Sequence, residues 1–97
     1  MLFAIHALDR EGALPTRLES GDAHRTHIAN AASYGVKIVI SGPLVKDDGE
    51  TMIGSLIVVE SANREAAERF NADDPYRLAG VFEKVTISGF LKRQDNR

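Results

Sequence analysis

The chain reads as an α+β domain of element order βαββαβ, and three observations carry that reading. Four apolar runs rich in β-branched residues, at 2–8, 36–45, 52–60 and 81–91, alternate with two helix-patterned stretches. The second and third runs are separated only by a short acidic turn around Asp47-Asp48-Gly49, which makes them a hairpin. Pro43 lies inside the second run. It has no N–H to give to a ladder, so that strand is at an edge or bent. A four-stranded antiparallel sheet in spatial order 4-1-3-2, with both helices on one face, puts the second strand at an edge. This is the ferredoxin-like arrangement.

Each element has a local reason. Leu2–Leu8 is apolar and stops at Asp9-Arg10-Glu11-Gly12, giving the first strand. Pro15 suits a first helical position, and Leu14 and Leu18 are spaced one helical turn apart. Gly21 interrupts this helix, and Ser20 or Asp22 is placed to cap a second segment running to Tyr34, with Gly35 as its C′ residue. After the hairpin, Ser61 or Asn63 caps a helix ending near Ala72, with Ala62, Ala66 and Phe70 turned inward. Pro75–Ala79 is one further helical turn closed by Gly80, before the last strand. The polar tail Lys92–Arg97 is expected to fray, and residues 1–97 form a single domain.

Composition narrows the function classes. The chain is 43% hydrophobic, too apolar for disorder, and its net charge of −2 comes with no basic patch. Nucleic acid and anionic membrane surfaces are therefore not expected partners. Ferredoxin-like RNA binders stack bases on strand aromatics, and the first and third strands offer only Phe3. Without cysteine there is no disulfide, no thiolate nucleophile and no Cys-ligated metal. The apolar start Met1–Ile5 is too short for a signal peptide and lacks a basic flank, and no run reaches membrane-spanning length. A soluble, cytoplasmic protein is the expectation.

Both faces of the central strands are apolar. The third strand carries Met52, Leu56 and Val58 on one face and Ile53, Ile57 and Val59 on the other. Two helices cover only one side of such a sheet, and no segment is left for the other. A second copy packed sheet to sheet is the simplest cover, so a homodimer is predicted.

One titratable group falls where a core residue belongs. His24, Ile28, Ala31 and Gly35 follow helical spacing and form the stripe that turns inward. A buried imidazole needs a hydrogen-bond partner, and the best placed carboxylate is in Asp73-Asp74-Pro75-Tyr76. Paired with Asp74, His24 would be a general base or acid held in one tautomer. Asp74 before Pro75 is also an ordinary N-cap, and a carboxylate has acceptor sites enough for both jobs.

The residues taken together resemble the YciI-like family of small dimeric α/β proteins. The resemblance rests on Arg17-Leu18 upstream of His24, then Ser41-Gly42-Pro43-Leu44, Gly54-Ser55-Leu56, Val58-Val59-Glu60-Ser61, Glu65-Ala66-Ala67, Asp73-Asp74-Pro75-Tyr76, Ala79-Gly80-Val81-Phe82-Glu83 and the closing Phe90. It covers nearly the whole chain. It implies a dimeric α+β barrel with a His–Asp site at His24 and Asp74, working without a cofactor. Some relatives act on ring compounds as dehydrochlorinases or lactone isomerases. The chain departs from the pattern at Gly21, where family members often carry Arg three residues before the histidine.

Around the pair, Arg17, Ser41, Gly42, Pro43, Ser55 and Tyr76 are the candidate substrate-binding residues. Arg17 is either a carboxylate binder or a solvated charge. Ser41-Gly42-Pro43 either presents backbone N–H groups or marks a bulge in an edge strand. Tyr76 is either a hydroxyl donor or half-core, and Gly54 either admits a ligand or relieves packing. His24 and His27 are three apart, not the four of the familiar zinc helix, and no third ligand is evident, so no metal is expected. His6 shares a strand face with Leu2, Ala4 and Leu8, which leaves it facing a cavity or the dimer interface. Three functions fit. The first is a cofactor-independent isomerase or lyase moving a proton on a small cyclic or anionic metabolite. The second is a non-catalytic dimeric ligand-binding or accessory protein, and the third is a cofactor-free oxygenase.

Overall fold

A computed structural model describes residues 1–97. The elements are β1 (Leu2–Asp9), α1 (Leu14–Glu19), α2 (Gly21–Ala29), a 3-10 turn (Ala31–Tyr34), β2 (Val36–Val45), β3 (Met52–Ser61), α3 (Arg64–Ala72), α4 (Pro75–Leu78) and β4 (Phe82–Phe90). The strands form one antiparallel sheet in the order β2-β3-β1-β4, the predicted order read from the other edge.

The core-facing positions alternate along the central strands as period-two patterning requires. Phe3 and Ile5 of β1 and Ile57 and Val59 of β3 meet Ala66, Ala67 and Phe70 of α3, with Ala31 and Val36 closing the end. A second small cluster of Ala13, Tyr76 and Val81 lies under α1 and α4, with Phe82 packed against it.

Helix boundaries differ from expectation in instructive ways. The chain breaks at Ser20 (φ −90°, ψ 0°), but neither Ser20 nor Asp22 caps α2 through its side chain. The segment ends at Ala29 and tightens into the 3-10 turn, which Gly35 closes at φ +72°. In α3 the cap is Asn63, whose Oδ1 accepts the Ala66 N–H at 2.9 Å. Ala62 lies before the helix and is exposed, so the inner face is Ala66, Ala67, Phe70 and Asn71. In α1 the inward residues are Ala13 and Arg17, while Leu14 and Leu18 point outward. Arg17 takes the inner position because the interior supplies it with partners.

Strand register decides what faces the helices. Ile38 pairs with Val59, but the next pair is Ile40 with Val58, so Val39 is an extra residue. This bulge inverts the parity of the rest of β2 and brings Ser41 beside Ile57 and Pro43 beside Ser55, on the helix side. Without it, Ile40 and Gly42 would take those places. Gly54 sits where a Cβ would fall on the carbonyl oxygen of Ala7 in β1. Its role is close strand approach, not ligand access.

The other sheet face carries Leu2, Ala4, His6 and Leu8 of β1, Leu56 and Val58 of β3, Ile40 of β2 and Phe90 of β4. Ile40, Leu56 and Phe90 are 49%, 36% and 47% exposed. The tail beyond Phe90 has no regular structure, yet Gln94, Asp95 and Arg97 line a hollow with Leu2, Ile40 and Val58. The tail therefore reaches one end of this face, contrary to the expectation that nothing in the chain could. His6 is exposed on the same face, away from the helices.

Candidate functional site

The imidazole of His24 reaches across from α2 to the start of α4. Its Nδ1 lies 2.9 Å from Asp74 Oδ1. The same oxygen accepts the Tyr76 N–H at 2.9 Å, which makes Asp74 the N-cap of α4 with Pro75 in the first turn. Asp74 is fully buried, and its Oδ2 has no protein partner. A carboxylate accepts, so the Asp74 bond selects the Nδ1–H tautomer of neutral His24 and leaves Nε2 with its lone pair.

Tyr76 stacks on His24, with ring centroids 4.0 Å apart and planes within 16°. The guanidinium of Arg17 lies over the Tyr76 ring, 4.4 Å from its centroid. Arg17 is only 2% exposed. Its Nε donates to Asp9 Oδ2 at 2.8 Å, and its Nη2 donates to Asp9 Oδ1 and to Ser55 Oγ, both at 2.9 Å. The bidentate pair ties the end of β1 to α1, and Ser55 ties both to β3. Asp9, Arg17, Tyr76, His24 and Asp74 thus form one continuous packed column.

That column forms one wall of a cavity of about 340 Å³. Ser41, Gly42 and Pro43 of β2 form the opposite side, Met52, Ser55 and Ile57 of β3 the floor, and Arg25 and Ile28 complete the α2 side. The volume suits a single small ring compound. A larger open hollow of about 690 Å³ between α3 and β4 is lined by Arg64, Arg69 and Arg77. Arg64 there donates to the Ile87 carbonyl and pairs with Glu68, and Arg77 donates to Asn71. It holds no histidine.

The YCII-related domain matches residues 1–91. The chain belongs to the YCII-related family. Protein YciI of Escherichia coli O6:H1 is 31% identical over 97 residues, covering 95% of this chain and 98% of that protein. Among solved structures, the 5-chloro-2-hydroxyhydroquinone dehydrochlorinase TftG of Burkholderia phenoliruptrix AC1100, in complex with 2,5-dihydroxybenzoquinone, is 28% identical. It superimposes with a TM-score of 0.81 over 94% of both chains. A NIPSNAP domain protein of Burkholderia xenovorans, 15% identical with a TM-score of 0.52 over 99% of this chain and all of that one, shares the fold.

In this YCII-related domain the catalytic and substrate-binding candidates border the cavity or support its wall, whereas His6, His27 and Gly54 lie outside it. His24, Arg17, Ser41, Gly42, Pro43, Ser55 and Tyr76 line it, and Asp74 lies behind His24. Arg17 is no solvated charge, and Tyr76 is a buried core residue, not half-core. The bulge in β2 falls at Val39, ahead of Ser41-Gly42-Pro43. His27 turns away, with Nε2 2.7 Å from the Phe70 carbonyl oxygen and its ring stacked on Phe70. It belongs to the core side of α2.

Three wall residues escaped the sequence reading. Asp9 reads as part of a turn, yet it is the carboxylate that holds Arg17. An available signal is the four-residue spacing of Ala13 and Arg17, which puts an arginine on the buried stripe and demands an anion nearby. Arg25 carries no signal of its own, and Met52, expected on the face of Leu56 and Val58, borders the cavity instead, at the point where the β2–β3 register shifts between Leu44 and Val45.

Proposed function

We propose that this domain is a cofactor-independent enzyme of the lyase or isomerase kind, in which His24 and Asp74 move a proton on a small cyclic or anionic metabolite. The observation that carries this reading is the 2.9 Å His24–Asp74 contact at the edge of a ring-sized cavity, with Nε2 free of protein partners. In this reading Nε2 removes a proton from a hydroxyl or carbon of the substrate. The electron pair left behind forms a new π bond. In an elimination a leaving group such as chloride departs with its bonding pair. In an isomerisation the imidazolium returns its proton to another atom of the same ring system. Asp74 keeps the ring oriented and stabilises the imidazolium between the two half-steps. Tyr76 fixes the ring plane.

The likeness to TftG, whose name gives a dehydrochlorination, supports a lyase-like activity. The open sheet face supports assembly as a homodimer, since Ile40, Leu56 and Phe90 form an apolar surface that the tail does not close. One observation favours the binding-protein alternative: Asp74 already has a structural task as the cap of α4.

Chloride release from 5-chloro-2-hydroxyhydroquinone and from a panel of related halogenated or lactone rings separates the two. Turnover that falls at least about a hundredfold in His24→Ala is the expected result, the usual weight of a general base. Ring compounds that bind wild type and His24→Ala alike, with no turnover by either, would leave a binding protein.

A further inference from the structure

Gly21 opens α2 in ordinary helical geometry, with no positive φ to call for glycine. At the first position of a helix glycine carries little of its interior penalty, so what matters here is the space left by its missing side chain. The residue is buried, and the cover is Arg25. A Cβ at position 21 would lie 3.2 Å from Arg25 Nη1, 3.6 Å from Nη2 and 3.7 Å from the guanidinium carbon, the three atoms nearest to it. The missing side chain is the seat on which this guanidinium rests.

Arg25 follows His24 in the chain and lines the same cavity. Its partner is Asp22, one turn back on the same helix, and the two side chains are 70% and 98% exposed. Such a pair is weak and exchanges readily for another anion. Arg17, the other guanidinium of the cavity wall, is committed to Asp9 and Ser55 in the interior. The cavity therefore has one structural cation and one exchangeable cation.

We propose that Arg25, seated on Gly21, is the specificity-determining residue of this cavity: it leaves Asp22 to engage an oxyanion of the substrate, and so selects anionic ring compounds over neutral ones. The planar fork of a guanidinium suits a phenolate, enolate or carboxylate oxygen. The proposal deepens the functional reading above and rests on the cavity being the substrate site.

The test uses two probes of matched shape. The first is 2,5-dihydroxybenzoquinone, a vinylogous acid that is anionic at neutral pH. The second is its neutral 2,5-dimethoxy ether. Both are titrated calorimetrically into wild type, Arg25→Ala, Gly21→Ala and His24→Ala, at low and high salt. Wild type is expected to bind the anion about fivefold tighter than Arg25→Ala, the upper end for one exposed charged contact. The ether should bind both within about twofold. Gly21→Ala should lose part of the same selectivity, because its methyl crowds the guanidinium. Salt should weaken the anion more in wild type than in Arg25→Ala. Equal anion binding by wild type and Arg25→Ala overturns the proposal. So does an equal loss of both probes, or a wild type with no preference for the anion. The proton-transfer reading fails on a different result, namely turnover that survives His24→Ala. Charge selectivity that persists in His24→Ala and vanishes in Arg25→Ala supports Arg25 whatever becomes of the dyad.

Discussion

The ring of Tyr76 lies parallel to that of His24 at 4.0 Å, while the Tyr76 backbone N–H donates to the oxygen of Asp74 that faces His24 Nδ1. One residue thereby holds the face of the imidazole and the carboxylate at its edge. The position of the histidine follows from the turn that starts α4 as much as from its own helix.

The tautomer of His24 should therefore depend on Asp74. Neutral wild-type His24 is expected to carry its proton on Nδ1, and Asp74→Ala is expected to release it to the Nε2–H form that an unconstrained histidine side chain prefers. Nitrogen chemical shifts of the ring distinguish the two. The same tautomer in both proteins would show that the 2.9 Å contact does not orient the ring. Asp74→Ala should also cost about 1 kcal/mol through the lost cap of α4.

Arg17 and Asp9 should be worth more to the fold than any other ion pair in the chain. Their side chains are 2% and 6% exposed, against more than half for both partners of Arg64–Glu68. Removing one partner strands a buried charge, so Arg17→Ala or Asp9→Ala alone is expected to cost about 3–5 kcal/mol in urea unfolding. Replacing both with apolar residues of similar size should cost much less than the two single changes together. A loss under about 1 kcal/mol for either single change would contradict the buried geometry.

The β2–β3 turn carries its own pH dependence. The Thr51 hydroxyl, then the Thr51 and Glu50 N–H groups, donate to Asp48 and hold its carboxyl at about 2, below its ordinary value of 3.8. The folded turn prefers the charged form, so its contribution is complete above the ordinary value and is lost as pH falls through the folded one. A carbon NMR titration should place the Asp48 midpoint near 2, and Thr51→Val should move it upward. A midpoint unchanged by Thr51→Val would remove the hydroxyl as the main cause.

If a second copy covers the open sheet face, one charge there should abolish the assembly. Leu56 lies on this face beside His6 of β1 and Gly42 of β2, and its side chain takes no part in the helix-side core. Light scattering at micromolar concentration is expected to give a dimer for wild type and a folded monomer for Leu56→Asp. A monomeric wild type would leave the face to the tail or to another partner.

Much of this was legible in the residues. Pro43 marked an edge strand, Asn63 and Pro75 marked helix starts, and the stripe through His24 and Ile28 turned that face of α2 inward. Where the structure departs from the local pattern, contacts between distant segments outweigh it. Leu14 and Leu18 have helical spacing, yet Arg17 takes the inner face because Asp9, Ser55 and Tyr76 meet it there. Val39 has no local signal as a bulge, since it is decided by how β2 pairs with β3.

By itself the sequence determined the element order, the edge position of β2 and the two ends of a His–Asp pair, because periodicity, turn chemistry and capping act over a few neighbouring residues. Only the tertiary structure decided that Asp74 serves His24 and the α4 cap through one oxygen. It also decided that Arg17 is committed to Asp9 while Arg25, beside Gly21, pairs with the exposed Asp22. Those outcomes depend on distances between segments far apart in the chain, and on which buried charge finds a partner when they meet.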